Sequence, residues 1–175
     1  MPTLRYSNGF NSKRVSLKMS EKTHPMKTIY IDMDDVLCDF TGRKTELLTS
    51  CSEMAYPQSQ YGFYSELDPI KGAIEATSLL LASNDIEPYI LTAPSVYNPL
   101  CYTEKRIWVE NHLGMDYVTR LIISPDKSLL IGDYLIDDKS EGRGQERFKG
   151  SLIQFGSAEF ADWDAVLKWL FPKEA

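Results

Sequence analysis

TIYIDMDDVLCDF, residues 28–40, is the stretch on which the reading turns. Residues 28–33 are β-branched, aromatic and apolar until they meet Asp32 and Asp34, the pattern of a buried strand that ends in carboxylates. Residues i and i+2 of a strand point to one face, so Asp32 and Asp34 converge where the backbone leaves the sheet. Buried like charges repel, and one of the pair must take up a proton unless a cation lies between them. Magnesium, which prefers hard oxygen ligands, removes the conflict. A carboxylate so placed beside a phosphate is a competent nucleophile. A second carboxylate nearby can protonate the leaving oxygen and later activate water. Asp-x-Asp by itself is common, and its plain alternative is capping of the helix that follows.

Working outward, four more apolar segments read as strands: residues 88–92, 118–124, 128–136 (one strand or two short ones) and 152–155. Helical patterns lie between and after them at 72–83, 103–112 and 162–170, with Gly114 a C-cap for the second. Trp163 and Trp169 read as core or docking residues of the last helix. Strands alternating with helices imply an α/β fold with a mostly parallel sheet covered on both faces. Ligands in such sheets bind beyond the carboxyl ends of the strands. That rule puts chemistry just after Met33, at Thr92 and after Ile136. Residues 42–69 break the alternation with one helical stretch, 43–52, and then an aromatic, turn-rich part. They read as a small cap inserted into a core of 26–41 and 70–175, with a long structural loop as the alternative. Residues 141–150 form a second loop, rich in glycine and charge.

Polar clusters fall where that rule needs them. Leu91-Thr92-Ala93-Pro94 offers a hydroxyl and free backbone amides to phosphate oxygens, or else only a turn that ends a strand. Lys105, early in the 103–112 helix, can offset phosphate charge, as can Lys127; a solvated surface role is the alternative for each. In Gly132-Asp133-Tyr134-Leu135-Ile136-Asp137-Asp138, adjacent acids after an apolar run are costly unless a cation binds them. One of Asp137 and Asp138 can ligate a metal while the other holds a metal-bound water or the lysine; Asp133 either assists or caps a turn.

The 175 residues suit one domain with a small insertion, and 43% hydrophobic content suffices for a core. The net charge of −6 without a basic stripe argues against a nucleic acid polymer as partner. Cys38, Cys51 and Cys101 are odd in number and lack zinc-site spacing, which reads as small buried thiols in a reducing cytoplasm. No run of 18 apolar residues exists to span a membrane. Residues 1–25 are polar, lack the apolar stretch of a secretory signal, and read as a flexible extension or the product of an upstream start codon. His24 falls in that extension, and His112 near a helix C-terminus fits favourable charge placement.

Taken in order, Asp32/Asp34, Thr92, Lys105 and Asp137/Asp138 resemble the motif series of the haloacid dehalogenase superfamily of phosphohydrolases. DMDDVLCDF at 32–40, LTAP at 91–94, EKRIWVENHLG at 104–114 and the run from IISPDK to LIDDK at 122–139 resemble its 5′(3′)-deoxyribonucleotidases. The resemblance implies a Rossmann-like three-layer sandwich with a parallel sheet and a small helical cap after the first strand. It implies Asp32 as nucleophile, and Asp34 as acid/base and, through its carbonyl, a metal ligand. Asp138 becomes the third protein ligand to Mg2+ with Asp137 beside it. Thr92, the Ala93 amide and Lys105 bind phosphate with Lys127 nearby, and Phe40 packs against a nucleobase. A nucleoside monophosphate substrate and a homodimer follow in the same way, and a cytoplasmic location is the default where no compartment is marked.

The sequence departs from that pattern at four points. Asp35 stands where glycine is usual, and Ala93 where serine is common. Pro125 and Lys139 stand where some relatives carry arginine, so two guanidinium groups are lost. Rival readings are a phosphatase for another small ester such as a sugar phosphate, a signalling receiver domain, and a fold that only binds phosphate. The aromatics Tyr56, Tyr61, Phe63 and Tyr64 favour a flat base over a sugar, with packing within the cap as their alternative. The late position of the acidic pair argues against a receiver. The complete motif set gives no visible cause for loss of activity.

Overall fold

A computed structural model describes residues 25–172, so the expected extension lies, but for Pro25, outside the described residues. The central sheet has five strands, β1 (Lys27–Ile31), β2 (Ile86–Thr92), β3 (Leu121–Ile123), β4 (Tyr134–Asp137) and β5 (Ser151–Gln154). All pair in parallel in the order β3-β2-β1-β4-β5. The expected α/β class with a parallel sheet is the one observed. After β1 the chain builds β2 and β3 on one side, then crosses to build β4 and β5 on the other. The carboxyl end of β1 is therefore the point where the winding reverses, and in such sheets the crevice there holds ligands.

The period of two sorts the core. Ile29 and Ile31 enter one cluster with Ile90, Ile136 and Ile153, while Tyr30 joins Leu91, Leu135 and Phe148 on the opposite face. Side chains of α2 (Ala73–Ala82), α3 (Cys101–Leu113), α4 (Met115–Val118) and α5 (Trp163–Leu170) all pack into the first cluster, through Ala76, Leu80, Trp108, Tyr117, Trp163 and Val166. The second face is covered by Phe148 and Leu130, from the chain around the 3-10 turns Lys127–Leu129 and Gln145–Arg147. Among the described residues no helix is long and apolar enough to cross a membrane.

Several boundaries differ from the sequence reading. The apolar run 118–124 is only half strand: Gly114, at φ 80°, stops α3 and restarts the chain as the one-turn α4, which takes up Val118. In 128–136 the strand begins at Tyr134, because Leu129 and Ile131 point outward, 72% and 81% exposed. Trp163 is buried and donates to the Val36 carbonyl at 3.0 Å, whereas Trp169 is 43% exposed and lies edge-on to Tyr134 and Phe160. Cys38 and Cys101 are buried as expected, but Cys51 is exposed. His112 packs on Trp108 with ring centroids 4.5 Å apart and planes tilted by 33°, and burial lowers its pKa, so the charged form suited to a helix end is disfavoured.

Residues 42–69 hold most of α1 (Phe40–Ser50), the 3-10 turn Pro57–Ser59, and Phe63, Tyr64 and Leu67, which enter the core. α1 buries no residue fully; only Phe40 and Leu47 lean on the core. Asp39 caps it by accepting from Gly42 N at 2.8 Å.

Candidate active site

The turn after β1 builds the site. Asp32 N donates to the Ile136 carbonyl at 2.8 Å, which fixes Asp32 beside the end of β4. The chain then folds back so that Leu37 N and Cys38 N donate to the Met33 carbonyl at 2.8 and 3.0 Å. The reversal turns on Asp35, at φ 59° the one non-glycine residue of positive φ among those described. Its carboxylate accepts from Thr41 N at 2.7 Å and Thr41 Oγ1 at 2.5 Å, tying the turn to the start of α1. Fully buried Met33, Val36, Leu37 and Cys38 anchor the turn from below.

Two lysines hold the two aspartates. Lys127 Nζ lies 2.8 Å from Asp32 Oδ1 and also bonds Asp137 Oδ2. Lys105 Nζ donates to Asp34 Oδ2 at 2.8 Å, Thr92 Oγ1 at 2.7 Å and the Ala93 carbonyl at 3.0 Å. An ammonium has three hydrogens, so those of Lys105 are all committed to protein atoms. Both lysines are buried. Burial works to lower the Lys127 pKa, but the charges of Asp32 and Asp137 outweigh it and the pKa is raised. Burial also raises Asp34, against the pull of Lys105 and with help from Asp32.

The acidic pair divides its work. Asp137 is fully buried and accepts from Lys127, from Gln145 Nε2 at 3.1 Å and from Lys139 N at 2.9 Å. Burial first, then the Asp32 charge, pushes its pKa up to about 6, against Lys127. Asp138 has a different setting: it pairs with the exposed Lys139 and faces the cavity. Asp133 sits at the far end of β4, where its side chain accepts from Thr28 N at 2.8 Å, so it is remote from this cluster and closes the strand start.

A cavity of about 500 Å³ opens over these groups, within the range of small-ligand sites. Asp32, Asp34, Asp138 and Lys127 line its floor, Phe40 and Tyr64 one wall, and residues 93–97 another. Of the expected phosphate ligands, Ala93 and Lys127 line the cavity, while Thr92 and Lys105 are buried behind its lining. Phe40 lines the cavity and packs on Phe63 and Tyr64, with centroids 5.4 and 6.0 Å away. Tyr56 stacks on Tyr97 at 4.7 Å, and Tyr61 is exposed.

Carboxylate oxygens of Asp32, Asp137 and Asp138 lie within 4.8 Å of one another. The three form an all-oxygen donor set, which suits a hard divalent cation. Gln145 escaped the sequence reading because it sits in a loop notable only for glycine and charge. Glu104, whose oxygens accept from Gly62 N and Tyr64 N at 2.9 and 3.1 Å, escaped it because its partners are backbone amides some 40 residues away.

A family profile described as 5′ nucleotidase, deoxy (pyrimidine), cytosolic type C protein matches residues 50–167. A Vibrio phage KVP40 protein, provisionally named a 5′(3′)-deoxyribonucleotidase, is 39% identical over 146 residues, 81% of this chain and 83% of its own. The human cytosolic-type 5′(3′)-deoxyribonucleotidase is 44% identical over 85 residues, 49% of this chain and 42% of its own, so the match spans less than half of that enzyme. The mouse mitochondrial 5′(3′)-deoxyribonucleotidase is 29% identical over 147 residues, 67% of each chain. A solved structure from Burkholderia xenovorans, provisionally named a haloacid dehalogenase-like hydrolase, aligns over 66% of this chain and 74% of its own, with 18% identity and a TM-score of 0.38.

Proposed function

The chain belongs to the 5′ nucleotidase, deoxy (pyrimidine), cytosolic type C family, and we propose that it is a magnesium-dependent phosphatase for (deoxy)nucleoside 5′(3′)-monophosphates that works through an aspartyl-phosphate on Asp32. The observation that carries this reading is the setting of Asp32. Its carboxylate lies on the floor of the cavity, held by Lys127 at 2.8 Å, with Asp138 beside it and Asp34 lining the same cavity.

The carboxylates fit a magnesium ion. Asp32, Asp138 and the Asp34 carbonyl would hold it, with Asp137 behind them as the anchor of Lys127 rather than a direct ligand. When bound, the ion neutralises phosphate charge. The residues do the rest. Lys127 orients Asp32 and offsets the incoming phosphate. An Asp32 oxygen attacks phosphorus, and the bond from phosphorus to the sugar oxygen breaks. Asp34, whose raised pKa suits an acid, gives its proton to that departing oxygen. Its Oδ1 is buried with no hydrogen-bond partner, which favours the protonated form. Asp34, now a carboxylate, takes a proton from a water that attacks the phosphoryl group. The bond from phosphorus to Asp32 breaks, phosphate leaves, and both residues return to their starting forms. Lys105 keeps Asp34 in place rather than gripping phosphate itself. Residues 42–69 serve as the cap, whose aromatic wall of Phe40 and Tyr64 suits a flat base.

The test is phosphate release from a panel of 5′ and 3′ (deoxy)nucleotides and sugar phosphates, with magnesium or with chelator, and with Asp32→Asn as control. Magnesium-dependent release from nucleotides, abolished in the variant, supports the reading. Turnover of sugar phosphates alone keeps the phosphatase and removes the nucleotide. Activity retained by Asp32→Asn refutes the nucleophile.

A further inference from the structure

Glu104 is a carboxylate 3% exposed that the reaction above does not use. Taking such a group out of water is costly unless strong donors meet it. Its two oxygens meet two: Gly62 N at 2.9 Å and Tyr64 N at 3.1 Å. Both belong to the segment that walls the cavity, and charge-assisted bonds of this kind are among the stronger ones available. The next residue on the same helix is Lys105, which holds Asp34. Successive helical residues point about 100° apart, so α3 aims one side chain at the cap backbone and the next at the catalytic floor. The two meet again at Tyr64, whose ring centroid lies 5.0 Å from Lys105 Nζ. Tyr64 itself borders the cavity, only 2% exposed, and stacks beside Phe40. Trp108 of α3 makes a further tie, its Nε1 donating to the Leu67 carbonyl at 2.7 Å, and Asn98, in the turn before α3, donates through Nδ2 to the Gln58 carbonyl at 2.9 Å.

We propose that Glu104 is a positioning residue that fixes Tyr64 as the substrate-facing wall at a set distance from Asp34 and Lys105. The inference rests on the phosphatase reading only in taking the cavity as the substrate site. Buried bonds tie the segment that carries Tyr64 to α3.

The experiment is a double-mutant cycle on Glu104 and Tyr64. Glu104→Gln keeps the shape, but its amide sets a donor against one of the two backbone N–H groups. A buried donor left unmet is costly enough to raise KM about tenfold, with a smaller fall in kcat. Tyr64→Leu removes the wall and raises KM by itself. Glu104→Gln added to Tyr64→Leu should then raise KM no further, because the residue through which Glu104 acts is gone. Additive KM effects, or Glu104→Gln lowering thermal stability with KM unchanged, overturn the proposal and leave Glu104 as a structural tie. If Glu104→Gln does not fold, Glu104→Asp keeps the charge, shortens the reach, and enters the same cycle. Kinetics use whichever phosphate ester the wild type hydrolyses, so failure of the nucleotide reading shows separately in the wild-type panel.

Discussion

Lys105 Nζ on α3 lies 2.8 Å from Asp34 Oδ2 in the turn beyond β1, and its other two hydrogens go to Thr92 Oγ1 and the Ala93 carbonyl. One ammonium thus binds the ends of β1 and β2 to each other. Lys105→Met should lower kcat by about 10²–10³, within the scale that a positioned general acid–base group contributes. It should also raise the Asp34 pKa further, moving the alkaline limb of the rate profile, where the general acid loses its proton, to higher pH. Lys105→Arg should not rescue, since a planar guanidinium cannot reproduce three bonds to three separate acceptors. A Lys105→Arg variant of wild-type rate would show that only charge matters at this position.

Asp35 sets two effects against each other. A non-glycine residue at φ 59° is strained by about 1 kcal/mol, while its bonds to Thr41 resemble an N-cap contact of about 0.5–2 kcal/mol. Asp35→Ala keeps the strain and loses both bonds, so urea unfolding should show a loss of about 2 kcal/mol. Asp35→Asn tolerates the left-handed conformation and keeps an acceptor, and should stay within about 0.5 kcal/mol of wild type. Asp35→Gly relieves the strain as it loses the bonds, and should fall between them. Asp35→Ala as stable as wild type would mean that the ties to Thr41 contribute nothing.

These cases show what the linear sequence could and could not carry. β1 and its carboxylates were legible because a β-branched run that ends in acids has few stable uses. The chain order of Asp32, Thr92, Lys105 and Asp137/Asp138 was equally plain. Residues 118–124 and 128–136 were misjudged at their edges because apolar composition does not say whether a residue faces the core, and Ile131 does not. Asp35 was noted as a departure from glycine, but its positive φ and its bond to Thr41 needed coordinates. The division of labour between Asp137 and Asp138 was hidden for a like reason, since it depends on Gln145 and Lys127 arriving from other loops.

His112 gives a pH test away from the cluster. Burial against Trp108 lowers its pKa, so the folded protein binds fewer protons here than the unfolded chain. Where the unfolded state binds more protons, stability rises with pH. Wild type should therefore lose stability as pH falls through 6.5 toward the folded pKa, and the cost is complete below that value. His112→Gln should remove this part of the loss, read as a smaller drop in Tm between pH 7 and pH 5. Identical slopes in the two proteins would mean that His112 titrates alike in both states.

Asp137 and Asp138 are neighbours in sequence with opposite surroundings, and magnesium titration should separate them. Asp137 spends its oxygens on Lys127, Gln145 Nε2 and Lys139 N, and is fully buried. Asp138 has Lys139 as its one recorded partner among the described residues and faces the cavity. Asp138→Asn should thus weaken magnesium activation by more than about 100-fold while Tm in chelator stays near wild type, because a direct ligand is lost and little packing changes. Asp137→Asn should weaken magnesium activation less, by about 10–100-fold as for an outer partner, but should lower Tm in chelator by leaving Lys127 with one carboxylate instead of two. The reverse order, with Asp137→Asn losing magnesium and Asp138→Asn losing stability, would make Asp137 the ligand and require Lys127 to leave it when the ion binds.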